Sequence, residues 1–158
     1  MNGFPRRIYT VTEFEMARNA LAQGYRHRLK LDGSLEFKNK IKTILKHIRS
    51  AGYYDFLRTY IRKLCEVKGL SQLREADATI WLNRYVVENS VEGARFIIQK
   101  TEQMKEFLDG NLYYNSGESR AVEKSIIFLE KLRTSIKDQE LMVKCEEVLK
   151  NWKEAKIV

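Results

Sequence analysis

The run Leu70-Ser71-Gln72-Leu73-Arg74-Glu75-Ala76-Asp77-Ala78-Thr79-Ile80-Trp81-Leu82 commits the chain to one architecture or another. Leu70, Leu73, Ala76 and Ile80 recur at helical spacing and Val87 prolongs the row, which makes one apolar stripe. Ser71 stands where an N-cap belongs, so the pattern predicts a helix over residues 71–89. Asp77 falls within that stripe, four residues after Leu73 and three before Ile80, and at ~100° per residue it points with the leucines. A carboxylate on a buried face loses hydration. It then requires a Tyr or Arg partner, a metal, or an opening into a cleft.

Helical periodicity continues on both sides, with no sustained alternation of the strand type. Thr10 or Thr12 caps a first helix through Phe14, Ala17, Leu21 and Tyr25, with Thr12 and Glu15 at capping-box spacing; it runs toward Lys30, and Gly24 marks a break. After the turn Asp32-Gly33-Ser34, a second helix carries Phe37, Ile41, Ile44, Leu45 and Ile48 on one stripe and ends at Ala51-Gly52. Asp55 starts a third that reaches Val67, before Gly69. Ser90 caps a fifth over residues 91–108, and Asp109-Gly110-Asn111 turns into the apolar connection Leu112-Tyr113-Tyr114. Ser116 or Ser119 opens a sixth, ending near Ser135. Asp138 caps the last, whose face is Leu141, Met142, Cys145, Val148, Leu149 and Trp152. The expectation is an all-α fold, a compact bundle of about seven helices, forming a single domain over residues 10–158 behind a loose arm, residues 1–9, that bears Arg6 and Arg7.

The chain has 158 residues, of which 44% are hydrophobic and 11% aromatic, enough to build a core. No apolar run approaches the ~20 residues of a membrane-spanning helix, and Met1-Asn2-Gly3-Phe4-Pro5 lacks a signal-peptide stretch. Cys65 and Cys145 show no ligand spacing and read as buried free thiols in a reducing compartment. A cytoplasmic protein with no membrane partner is expected.

Charge is distributed unevenly. Between Arg26 and Arg74 stand thirteen basic residues against Asp32, Glu36, Asp55 and Glu66, whereas the whole chain has a net charge of only +8. A one-sided field attracts polyanions, since each neutralised phosphate releases counterions. Lys38, Lys42, Lys46 and Arg49 share one stripe of the second helix with no acid beside them, and are the candidate RNA-binding residues; the alternative is a solvated lysine face. His27 and His47 have no partner at ligand spacing and read as exposed polar residues. Tyr53, Tyr54, Tyr60 and Tyr85 flank the basic third as stacking candidates or core, and Trp81 and Trp152 read as packing. There is no Gly-rich phosphate loop, no Gly-x-Ser-x-Gly and no His-Glu-x-x-His.

The run from Leu73 to Leu82, centred on Ala76-Asp77-Ala78, resembles the signature helix of the ribonuclease III domain, Leu-Gly-Asp-Ala-Val-Leu. Ser119-Arg120-Ala121-Val122-Glu123-Lys124-Ser125-Ile126-Ile127 resembles that family's second motif, Ala-Asp-x-x-Glu-Ala. The resemblance covers residues 70–135 and implies a homodimeric, Mg2+-dependent endoribonuclease acting on structured or double-stranded RNA, with Asp77 and Glu123 as catalytic and metal-holding carboxylates. Leu70, Leu73 and Arg120 occupy positions where the family has acids. Two-metal phosphodiester chemistry needs several carboxylates, so reduced or lost cleavage is expected. The alternative is a non-catalytic helical domain that binds nucleic acid or another protein.

Overall fold

The computed structural model describes residues 3–111 and 116–157. Leu112, Tyr113 and Tyr114 lie outside the described residues. The chain is mostly helical, with seven α-helices among the described residues, but a small sheet stands where the third and fourth helices were expected. In order the elements are α1 (Val11–Ala22), β1 (Lys30–Asp32), α2 (Leu35–Ser50), α3 (Tyr54–Tyr60), β2 (Lys63–Glu66), β3 (Gln72–Arg74), a 3-10 turn (Glu75–Asp77), β4 (Thr79–Leu82), α4 (Arg84–Glu88), α5 (Ser90–Leu108), α6 (Ser116–Ser135) and α7 (Gln139–Ile157).

The four strands lie in the order β1-β2-β4-β3; β1, β2 and β4 are parallel, and β3 runs antiparallel to β4. The expected helix over residues 71–89 is therefore a β-hairpin followed by a short helix. The reason for the misreading is visible in the register. Leu73 and Ile80, seven residues apart, are direct cross-strand partners. A hairpin thus places on one side the same two residues that a helix would place two turns apart. In the same way the expected third helix stops at Tyr60, because Ile61 is extended, with φ −116° and ψ 126°, and leads into β2. The first helix stops at Ala22, and Gly24 takes φ +89° before the chain straightens into β1.

One side of the sheet builds the core. Leu64, Leu73 and Ile80 are buried, α2 packs on β1 and α5 on β3. α2 and α5 cross closely at Gly93, where a β-carbon would lie 2.7 Å from Ile44 Cδ1 and 3.0 Å from the Val86 carbonyl. The last three helices form as expected, with α7 capped by the expected Asp138 and α5 capped one residue early, by Asn89 instead of Ser90. Asn89 accepts from Val91 N–H and Glu92 N–H at the start of α5, and Asp138 accepts from Leu141 N–H at the start of α7. The segment before α1 is no loose arm: Ile8 is buried, its N–H donates to the Ala76 carbonyl, and Arg62 donates to the Pro5 and Arg6 carbonyls.

α5, α6 and α7 are tied by a buried polar cluster. Arg95, 1% exposed, donates to both carboxylate oxygens of Glu92 at 2.9 Å, to Gln99 at 2.6 Å and to Ser125 at 3.0 Å. Its guanidinium lies 3.6 Å from the centre of the Trp152 ring, and Trp152 Nε1 donates to Glu92 at 2.7 Å. Along the α5–α6 contact, Glu102 faces Lys124 and Glu106 faces Arg120, each at 3.5 Å.

Candidate nucleic-acid interface

Asp77 is not on a helix face. It closes the 3-10 turn between β3 and β4 and is exposed, while the next residue, Ala78, is buried in the left-handed region with φ 51°. The turn is pinned by Thr79, whose hydroxyl donates to the Asp77 carbonyl at 3.1 Å. The cost of burying a carboxylate, which singled Asp77 out in the sequence, is not incurred. Asp77 lines a cleft of about 470 Å3 with Tyr9, Arg74, Glu75, Lys100 and Glu118. Glu123 is exposed on α6 and is not part of that lining. Arg120, at the position of the motif's first acid, is the partner of Glu106. Among the described residues no three His, Cys, Asp or Glu side chains converge as a metal-ligand set.

The four basic residues of α2 are arranged as the spacing indicated. Phe37, Ile41, Ile44, Leu45 and Ile48 are buried, which turns Lys42, Lys46 and Arg49 to solvent and leaves Lys38 half-exposed. At ~1.5 Å per residue, the stripe from Lys38 to Arg49 is about 17 Å long. Lys38, Lys42, Lys46 and Arg49 form no ion pair among the described residues, whereas Lys40, on the same helix, meets Glu88 at 2.7 Å and Glu36 at 3.4 Å. The hydrogen bond that Lys40 donates to the Glu88 carboxylate is the main reason its ammonium is held above its ordinary pKa. Arg49 lies over the Tyr54 ring at 4.1 Å, which fixes its guanidinium while leaving it in solvent.

His47 and His27 are both buried, contrary to the exposed polar histidines expected. His47 Nε2 lies 2.9 Å from the Ser90 hydroxyl, and burial, with the nearby charge of Lys144, lowers its pKa. Lys144 adds a cation at that end of α2. His27 packs edge-on against Phe4 and Tyr25, and neither ring nitrogen has a hydrogen-bond partner. Burial, assisted by the charge of Arg62, lowers its pKa to about 4. Of the cysteines, Cys145 is buried and Cys65 only half-buried.

A second cleft, of about 450 Å3, opens at the carboxyl ends of β2 and β4 and is lined by Glu36, Lys40, Glu66, Arg84, Tyr85 and Glu88 among others. Open α/β sheets commonly bind ligands at this end. Here the charges largely satisfy one another: Lys40 bridges two acids, and Glu66 accepts the Ser34 N–H at 2.8 Å, fixing the start of α2. Gly33 is required beside it, since a β-carbon would fall 2.6 Å from Phe37 and 2.8 Å from Glu66.

The sequence reading missed the side of the sheet that no core residue occupies. Two rows of side chains lie there, Lys30-Lys63-Thr79-Arg74 and Asp32-Cys65-Trp81-Gln72 in register order, and only Thr79 among them is buried. The available signal was the β-branched and aromatic run Thr79-Ile80-Trp81. No helix of the described residues is long and apolar enough to cross a membrane. Compared with known proteins, the chain matches no family model, no curated sequence and no solved structure.

Proposed function

We propose that this protein binds structured RNA without cutting it, and that the solvent-facing stripe of α2 contacts the phosphates. The carrying observation is a contrast within one helix. Lys40 is neutralised by two carboxylates, whereas Lys38, Lys42, Lys46 and Arg49 meet none among the described residues. A row of unpaired cations on a rigid, well-packed helix loses little conformational freedom on binding and gains by counterion release. The cleaving version of this reading asks Asp77 and Glu123 to share Mg2+. The acids beside Asp77 in its cleft are Glu75 and Glu118, which favours the binding version.

The test is the salt dependence of affinity for an RNA duplex. Each phosphate neutralised contributes about −0.9 to the slope of log K against log salt for a duplex of the B-DNA type. Lys38→Glu, Lys42→Glu and Lys46→Glu together should weaken binding to all sequences alike and flatten that slope, while Lys40→Gln should change it little. An unchanged slope in the triple variant removes α2 from the interface. Mg2+-dependent cutting of the duplex that disappears in Asp77→Asn would replace the binding reading with the nuclease.

A further inference from the structure

We infer that the open side of the sheet is a second nucleic-acid surface, one that takes the bases of a single-stranded segment on Trp81. The ligand class rests on the RNA-binding reading above; the site, its residues and its strandedness do not.

Three observations carry it. The first is architectural. Parallel strands normally have both faces covered, because crossover helices pack on each side. Here the side bearing Leu64, Leu73 and Ile80 is buried, while Lys30, Asp32, Lys63, Cys65, Gln72, Arg74 and Trp81 on the other side remain wholly or partly exposed. The second is the centre of that side. Trp81 is half-exposed on β4, an interior strand with β2 and β3 as neighbours, so its ring is held by a pinned backbone on both sides. The Arg74 guanidinium lies 4.4 Å from its ring centre and pairs with no carboxylate among the described residues. An indole with a planar cation layered over its face offers a stacking platform, guanidinium on one side and indole on the other, that tolerates any base, since every base has a π-face.

The third observation is charge. Exposure alternates from Arg26 to Asp32, with Arg26, Arg28 and Lys30 exposed and His27 buried, which turns the three cations to the solvent side. Lys30, Lys63 and Arg74 occupy the row next to Trp81; Arg28 and Arg26 continue the cations along the chain before β1, and the one acid in the two rows, Asp32, is 3.9 Å from Lys63. A strand of nucleotides laid across the sheet would stack one or two bases at Trp81 and run its phosphates past these cations. Duplex RNA cannot use the platform, because its bases are already stacked on one another.

The experiment compares a fluorescein-labelled oligouridylate with an RNA duplex of equal length, by anisotropy at fixed salt. Trp81→Ala should lose about 10- to 100-fold in affinity for oligouridylate, Trp81→Phe should retain most of it, and duplex affinity should be unchanged in both. In the unaltered protein, oligouridylate should also slow alkylation of the Cys65 thiol, the neighbour of Trp81 in its row. Should Trp81→Ala fail to fold, Arg74→Ala and the Cys65 protection decide the question. Oligouridylate binding equal to wild type in a folded Trp81→Ala or Arg74→Ala variant overturns the inference, as does an unaltered protein that binds the duplex but not the single strand. That last result leaves the α2 reading standing. Single-strand binding that needs Trp81, combined with a duplex affinity indifferent to Lys38, Lys42 and Lys46, sinks the α2 reading and leaves this one.

Discussion

The molecule contains two stacked arginine–tryptophan pairs, and they do opposite things. Arg95 and Trp152, 3.6 Å apart, are enclosed by α5, α6 and α7, and each of the three guanidinium nitrogens donates to Glu92, Gln99 or Ser125. Arg74 and Trp81, 4.4 Å apart, lie on an open sheet where Arg74 is exposed and pairs with no acid among the described residues. Both place a guanidinium over an indole, so the stacking by itself does not distinguish a structural role from a recognition role. The remaining partners do. A cation whose nitrogens all bond inside the protein holds helices together, and one that meets no acid among the described residues is available to a ligand.

The largest expected effect breaks the closed pair. Arg95→Ala leaves Glu92 and Ser125 without their buried donor, and should cost about 3–5 kcal/mol of unfolding free energy. Urea denaturation reads it directly; a loss below about 1 kcal/mol would mean that the cluster is not a clamp. Next in size is a buried ring whose nitrogens have no hydrogen-bond partner among the described residues. His27 is neutral in the folded protein down to pH about 4, against an ordinary value of 6.5. Above pH 6.5 the ring is neutral in both states and contributes nothing. As the pH falls from 6.5 toward 4 the unfolded chain takes up a proton that the folded chain refuses, so stability should drop by about 3 kcal/mol over that window. His27→Phe should remove this part of the acid sensitivity, as measured by denaturation at pH 7 and pH 4.5; parallel pH slopes in the two proteins would refute it. The smallest effect belongs to the open pair. Arg74→Ala should shift stability by no more than about 0.5 kcal/mol, as expected for an exposed side chain with no ion pair. A loss comparable to that of Arg95→Ala would erase the distinction between the two pairs.

The half of the chain from Ser90 onward was legible because its helices are long and their caps are side chains that announce themselves. Asp138 caps α7 as its position suggests, and α5 differs from expectation only in using Asn89 instead of Ser90. The sheet before it was not legible for a matching reason. Its strands are three or four residues long, too short to show a period, and Leu64, Leu73 and Ile80 coincide with helical spacing. The basic stripe of α2 survived because it depends only on a helix that does form. The singular status of Asp77 did not survive, because it depended on a helix that does not.

The order β1-β2-β4-β3 leaves β1 and β3 at the two edges of the sheet. An edge strand presents unpaired N–H and C=O groups to any other extended chain, and long, flat, apolar edges invite fibrous self-association. β1 offers three residues, two of which are Lys30 and Asp32, and β3 offers three ending in Arg74. The corner after β3 is further occupied where Ile8 N–H bonds to Ala76. The same brevity that hid these strands from periodicity therefore gives an incoming strand almost nothing to pair with, and guards a half-covered sheet against growing into its neighbours.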